Sequence, residues 1–177
     1  MRPITFLLAS TLALLPAPAF AVAIFKASLS GANERPVPNA SPATGQAVVY
    51  LSDDETSISV RIDFGGLTAP AAAAHIHCCS DVNTNAPVRL DFGSLGFPFG
   101  VTGGIYDSGP LDLASVVAGI TVAQFLTGLK DGLAYVNIHN RNFPGGEIRG
   151  QLEVPEPAMA GLMLLGVGLL AAARRRR

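Results

Sequence analysis

Three histidines and two cysteines carry most of the chemistry available to this chain. Two of the histidines and both cysteines fall in one short run, Ala74-His75-Ile76-His77-Cys78-Cys79. The third, His139, ends another alternating run, Leu133 to His139. On a strand, residues i and i+2 point to the same face, so His75 and His77 can converge on one ion. If the strand of His139 lies alongside, three imidazoles meet, a donor set that suits zinc or copper. The alternative is structural: the rings bond to backbone and to Glu147 or Asp81 and hold the nearby loops closed.

Cys78 and Cys79 leave three options open. Neighbouring Cα atoms across a trans peptide are about 3.8 Å apart, whereas an ordinary disulfide spans about 5.5–6 Å. The pair is therefore a strained vicinal disulfide, two free thiols, or thiolates completing a His/Cys site for a soft metal.

The remaining charged residues suggest structure before catalysis. Glu147 and Arg149 alternate onto one face of the last apolar run, and Asn33-Glu34 follows the first. Glu147, Arg149 and Glu34 are expected to form a buried, charge-assisted ion pair tying the first loop to the last strand. Asp53-Asp54-Glu55 reads as a solvated turn, since its spacing matches no calcium loop. Ser80 is near His77 in sequence, but no nucleophile elbow or oxyanion-hole pattern accompanies it. No catalytic residue is assigned, and an enzyme is not expected.

The elements that must position these residues are short and mostly extended. Ile24 to Ser30 and Thr44 to Leu51 read as strands, separated by a loop with Pro36, Pro38 and Pro42. Thr56 to Phe64 alternates cleanly, with Ile58, Val60, Ile62 and Phe64 on one face, the signature of a half-buried antiparallel strand. Val88 to Phe92, Ile105 to Leu113, Leu133 to His139 and Glu147 to Glu153 complete the extended set. Thr121 to Lys130 is the single helix, opened by a capping box of Thr121 and Gln124 and stopped at Asp131-Gly132. The expected fold is all-β: an antiparallel, Greek-key-like β-sandwich or barrel with one short helix. An N-terminal signal helix and a C-terminal membrane helix are expected to flank it.

Both ends read as targeting segments. Residues 1–21 combine a basic start, an apolar run and Ala19-Phe20-Ala21, the pattern of a secretory signal peptide cleaved after Ala21. Residues 154–177 run Val154-Pro155-Glu156-Pro157, then sixteen uncharged residues, then Arg174, Arg175, Arg176 and Arg177. That apolar stretch is marginal for a bilayer core, which takes about 20 residues. The terminal arginines belong on the cytoplasmic side. The body, residues 22–153, is one domain by length. Five of the twelve basic residues lie in the ends, so residues 22–157 carry seven against all thirteen acids, a net charge of −6. That balance excludes nucleic acid as a partner.

Two resemblances follow from these residues. The tail resembles the PEP-CTERM sorting signal through Pro155, Glu156, Pro157 and Arg174 to Arg177. It implies recognition by an exosortase-type enzyme, transient anchoring in the inner membrane after Sec export, and delivery to the exterior of a Gram-negative cell, alongside exopolysaccharide or matrix. The body resembles the CHRD (chordin-type) domain. The residues carrying that likeness are Asn33-Glu34, Ala43-Thr44-Gly45, Ala74-His75-Ile76-His77, Tyr135 to His139 and Asn142 to Gln151. Asn140 stands where the family usually has Thr. The resemblance implies an exported, cell-surface or matrix-associated module with a binding or structural role. A second reading is a copper- or zinc-binding protein with redox activity, because the His-x-His strand is similar to that of Cu/Zn superoxide dismutase. With only three histidines, a full two-metal dismutase site is not expected.

Overall fold

The computed structural model describes residues 23–155. The expected signal peptide and membrane helix, with Glu156, Pro157 and Arg174 to Arg177, fall outside these residues. Among the described residues no helix is long and apolar enough to cross a membrane.

Eight strands form the body: β1 (Ala23–Ser30), β2 (Thr44–Leu51), β3 (Ser57–Gly65), β4 (Ala71–His77), β5 (Val88–Asp91), β6 (Gly104–Asp112), β7 (Tyr135–Asn140) and β8 (Ile148–Gln151). Two helices, α1 (Leu113–Val116) and α2 (Val122–Lys130), lie between β6 and β7. All ladders are antiparallel, and the strands follow one another as β5-β4-β7-β8-β1-β2-β3-β6. This is one continuous antiparallel sheet, where a sandwich or barrel was expected. The sheet curls around its core without closing into a barrel. Its end strands, β5 and β6, share no ladder, and α1 touches both. Right-handed strand twist, accumulated over eight strands, brings the two edges near enough for a single helical turn to span them.

Alternation in sequence becomes two faces in the sheet. Phe25, Ala27 and Leu29 of β1, Ala47, Val49 and Leu51 of β2, and Ile58, Val60, Ile62 and Phe64 of β3 all point into one core. Fully burying one such aliphatic or aromatic side chain contributes about 1.5–3 kcal/mol. The apolar side of α2, Phe125, Leu126 and Leu129, closes over the same core. The Thr121 hydroxyl accepts from the Gln124 N–H, and the Gln124 side chain accepts from the Thr121 N–H, so the capping box forms as read. The single turn of α1, capped by Asp112, was not legible as a helix. A four-residue element has too little periodicity to register.

The opposite face of β4, β7 and β8 holds the chemistry. The register pairs His75 with Asn137, His77 with Tyr135, Asn137 with Arg149, and Tyr135 with Gln151. These residues all point away from the apolar core. They are not left in solvent. The loop after β1 and the loop between β4 and β5 fold over them, so Glu34, Tyr135, Asn137 and Arg149 are buried. This end of the sheet therefore has an apolar layer on one side and a polar layer on the other.

Candidate metal centre

The pairing of β4 with β7 gathers the three histidines. One ligand atom each from His75, His77 and His139 lies within 4.8 Å of the other two. His75 Nδ1 and His139 Nε2 are 3.2 Å apart. Tetrahedral ligands at about 2.0–2.1 Å from a zinc ion stand about 3.4 Å from one another, so the His75–His139 pair is already at that spacing and the widest pair would have to close by up to about 1.4 Å.

The far side of each ring sets which nitrogen carries the proton. His77 Nδ1–H donates to the Ala86 carbonyl at 2.8 Å. His139 Nδ1–H donates to the Pro144 carbonyl at 3.1 Å. A carbonyl can only accept, so in each neutral ring Nε2 keeps its lone pair. His77 Nε2 is buried and has no hydrogen-bond partner. His75 Nε2 lies 3.7 Å from the Asp91 carboxylate. Metal-bound histidines usually have such partners, which hold the ring and fix its tautomer.

Burial also keeps the rings neutral. It lowers the pKa of His75, against the opposing pull of Asp91. It lowers that of His77 as well. His139 is pushed down to about 4, first by burial and then by the neighbouring His75. Neutral imidazole is the form that binds a metal. The sequence posed convergence and backbone anchoring as alternatives; the rings do both, with different nitrogens. Neither Glu147 nor Asp81 is a histidine partner.

Tyr135 and Arg149 support the centre from the side. The His77 ring stacks on Tyr135 with centroids 4.7 Å apart and planes 3° from parallel. The Arg149 guanidinium carbon lies 3.5 Å from the centre of the Tyr135 ring. Arg149 Nη1 donates to Asn85 Oδ1 at 2.9 Å, and Nη2 donates to the Thr84 carbonyl at 3.0 Å. The Ala86 N–H donates to Tyr135 Oη at 3.1 Å. One loop, Thr84 to Ala86, thus touches Arg149, Tyr135 and His77. Tyr135 could have been found from its alternation with His139 on one strand face; Asp91, on a separate short strand, had no such signal.

The expected ion pair of Glu147, Arg149 and Glu34 does not form. Glu147 Oε1 accepts from Ser41 Oγ at 2.6 Å and from the Thr68 N–H at 2.8 Å. Its Oε2 accepts from Asn140 Nδ2. Arg149 turns to the loop before β5, and the two residues diverge from positions about 7 Å apart along the chain. Glu34 Oε2 instead accepts from Asn137 Nδ2 at 3.3 Å, tying the first loop to β7. Glu34 Oε1 is buried without a partner. Burial pushes this carboxyl up to about 7, opposed by Asn137 and by the more distant charge of Arg149.

Cys78 and Cys79 form a disulfide with each other across a cis peptide bond. This corrects the reading of either as a thiolate metal ligand. Cys78 follows His77 and so faces the apolar core, away from the rings. Asp53 to Glu55 form a turn at the β2–β3 tip, where Glu55 pairs with Lys130 at 2.6 Å.

A family model, the CHRD domain, matches residues 25–152. The chain belongs to the CHRD family. The matched span of the CHRD domain contains every residue of the polar layer described above. A second model, the PEP-CTERM protein-sorting motif, matches residues 153–177, directly after the CHRD domain. The two together mark an exported protein handled by an exosortase-type sorting system of Gram-negative bacteria. No curated protein matched the chain, and no solved structure did.

Proposed function

We propose that this CHRD domain is a non-enzymatic binding module that holds one zinc or copper ion on His75, His77 and His139 at the cell surface or in the surrounding matrix. The observation that carries this reading is the convergence of three ring nitrogens within 4.8 Å while the opposite nitrogens of His77 and His139 are anchored to carbonyls. Three neutral imidazoles leave a fourth position for water or for a donor from a partner. Zinc or copper fits such a nitrogen set better than a hard cation, which takes oxygen ligands. The Ser80 hydroxyl, next to the centre in sequence, donates to the Thr84 carbonyl at 3.1 Å and is not activated by His77.

Metal analysis of protein purified from its native compartment tests the proposal. One equivalent of zinc or copper is expected, with the melting temperature falling in chelator. A ligand at 100 times its Kd adds about 2.7 kcal/mol of stability. A His75→Ala/His77→Ala double variant should carry no metal. Metal-free protein whose stability is unchanged by chelator or by added zinc would leave the histidines with a purely structural role.

A further inference from the structure

The two sulfurs of the Cys78–Cys79 disulfide have different surroundings. Cys78 is fully buried. Cys79 is exposed and lines a groove of about 510 Å³ along α2. Ile120, Ala123, Gly128 and Leu133 form apolar walls, and Arg89 lines the groove with them. Gly128 allows the close seat on the helix, because a Cβ there would collide with the sulfurs of both cysteines. Arg89 is fixed in place: Nε donates to the Cys78 carbonyl at 2.9 Å and Nη1 to the Ala118 carbonyl at 3.3 Å.

We propose that Cys78–Cys79 is a thiol–disulfide exchange site that admits an anionic thiol or dithiol through the α2 groove, with Cys79 as the sulfur attacked. Access selects Cys79, since Cys78 has no exposed surface. The attacking species is a thiolate, and the Arg89 cation raises the local concentration of anions. The apolar walls can cover the carbon body of the reagent. In the first step the thiolate sulfur bonds to Cys79 Sγ, the Sγ–Sγ bond breaks, and Cys78 leaves as a thiolate that takes a proton from water. In the second step another thiolate, or the second thiol of a dithiol, attacks the reagent sulfur of the mixed disulfide. Cys79 is released and protonated. The protein disulfide gains two electrons and two protons, and two reagent thiols become a disulfide. The site is independent of the histidine centre, because Cys78 and the His77 ring lie on opposite faces of the strand.

The test uses the folded protein with its sorting signal. Treatment with millimolar dithiothreitol under native conditions, followed by alkylation and mass spectrometry, should add two alkyl groups without unfolding. In Cys78→Ser the remaining Cys79 thiol should react with an anionic aromatic disulfide at least about 100-fold faster than the Cys78 thiol of Cys79→Ser, following accessibility. In Arg89→Gln the ratio of anionic to neutral reagent rates should fall severalfold; a ratio that stays constant would remove Arg89 from the proposal. A wild-type disulfide reduced only in denaturant would overturn the site as a whole. So would equal reactivity of the two single thiols. The wild-type measurement stands even if a cysteine variant fails to fold.

Discussion

His75 Nδ1 stands 3.2 Å from His139 Nε2, and the second of these atoms can only accept, because His139 donates its Nδ1 proton to the Pro144 carbonyl. Without metal, the contact is a hydrogen bond from His75 Nδ1–H. A metal on His75 Nδ1 displaces that proton to Nε2, where the Asp91 carboxylate is 3.7 Å away. Nitrogen-15 NMR of the histidine rings should therefore show His75 switching tautomer on zinc addition, while His77 and His139 keep theirs. Unchanged His75 resonances under saturating zinc would rule out this ligand set. Asp91→Asn, which weakens a long contact, should reduce zinc affinity by less than about tenfold.

Tyr135 Oη accepts from the buried Ala86 N–H at 3.1 Å, and the Ala86 carbonyl holds His77. Tyr135→Phe leaves that N–H unpaired. Denaturant unfolding should show a loss of about 1–3 kcal/mol. Zinc affinity should fall by about tenfold as the His77 anchor loosens.

Glu34 gives stability a pH dependence of known sign. Its carboxyl is raised from the ordinary 4.5 to about 7, so between those values the folded chain keeps a proton that the unfolded chain has released. The contribution is complete below pH 4.5 and is lost as pH rises through 7. Compared with Glu34→Gln, the wild type should lose about 3 kcal/mol between the acid and alkaline sides of that window. His139, lowered to about 4, tilts the other way, losing stability as pH falls below its ordinary 6.5. A pH-independent difference between wild type and Glu34→Gln in denaturant melts would contradict the assignment.

Asn140 and Gly146 lock the turn that carries Pro144. Asn140 is buried; it donates to Glu147 and to the Ala69 carbonyl, and its Oδ1 accepts from the N–H groups of Asn142 and Phe143. Asn140→Ala should cost about 3 kcal/mol in thermal or denaturant unfolding, because several buried groups lose partners together. Asn140→Thr, the residue usual in the family, should recover part of that loss. Gly146 has φ +133, and a Cβ there would lie 2.5 Å from Asn137 Oδ1 and 2.6 Å from Glu34 Oε2. Gly146→Ala should therefore destabilise by at least about 2 kcal/mol.

The tail prediction concerns sorting. Deleting Pro155 to Arg177 removes nearly all of the PEP-CTERM match at 153–177 and leaves β8 intact. Fractionation should then find the CHRD domain as soluble exported protein. Firm membrane retention of the truncated chain would contradict an anchor in the tail.

Much of the scaffold was legible because it is local. The β2 boundaries, Thr44 to Leu51, follow directly from alternation and flanking turn residues, and α2 follows from the capping box of Thr121 and Gln124. His75 and His77 share a face for the same reason: a period of two needs no knowledge of the rest of the chain. Arg149 shows where that reasoning stops. Alternation put it on one face of the last strand with Glu147, but the β7 register that sets it beside Asn137 and the loop that folds over it are not written locally, so Glu147 was the nearest partner available by sequence.

Sequence by itself determined the strands, the helix and its cap, the His-x-His pair, and the family signatures of body and tail, because each is written within a few adjacent residues. Tertiary structure decided that β4 pairs with β7 in the register setting His75 opposite Asn137, and thereby that His139 joins the other two rings. It also decided that the strands form one curled sheet, that Ala86 and Pro144 fix the tautomers, and that Cys78 is buried in the core while its disulfide partner Cys79 is exposed. These depend on contacts between residues far apart in the chain, and a shift of one residue in the β4–β7 register would turn the histidines of one strand to the opposite face.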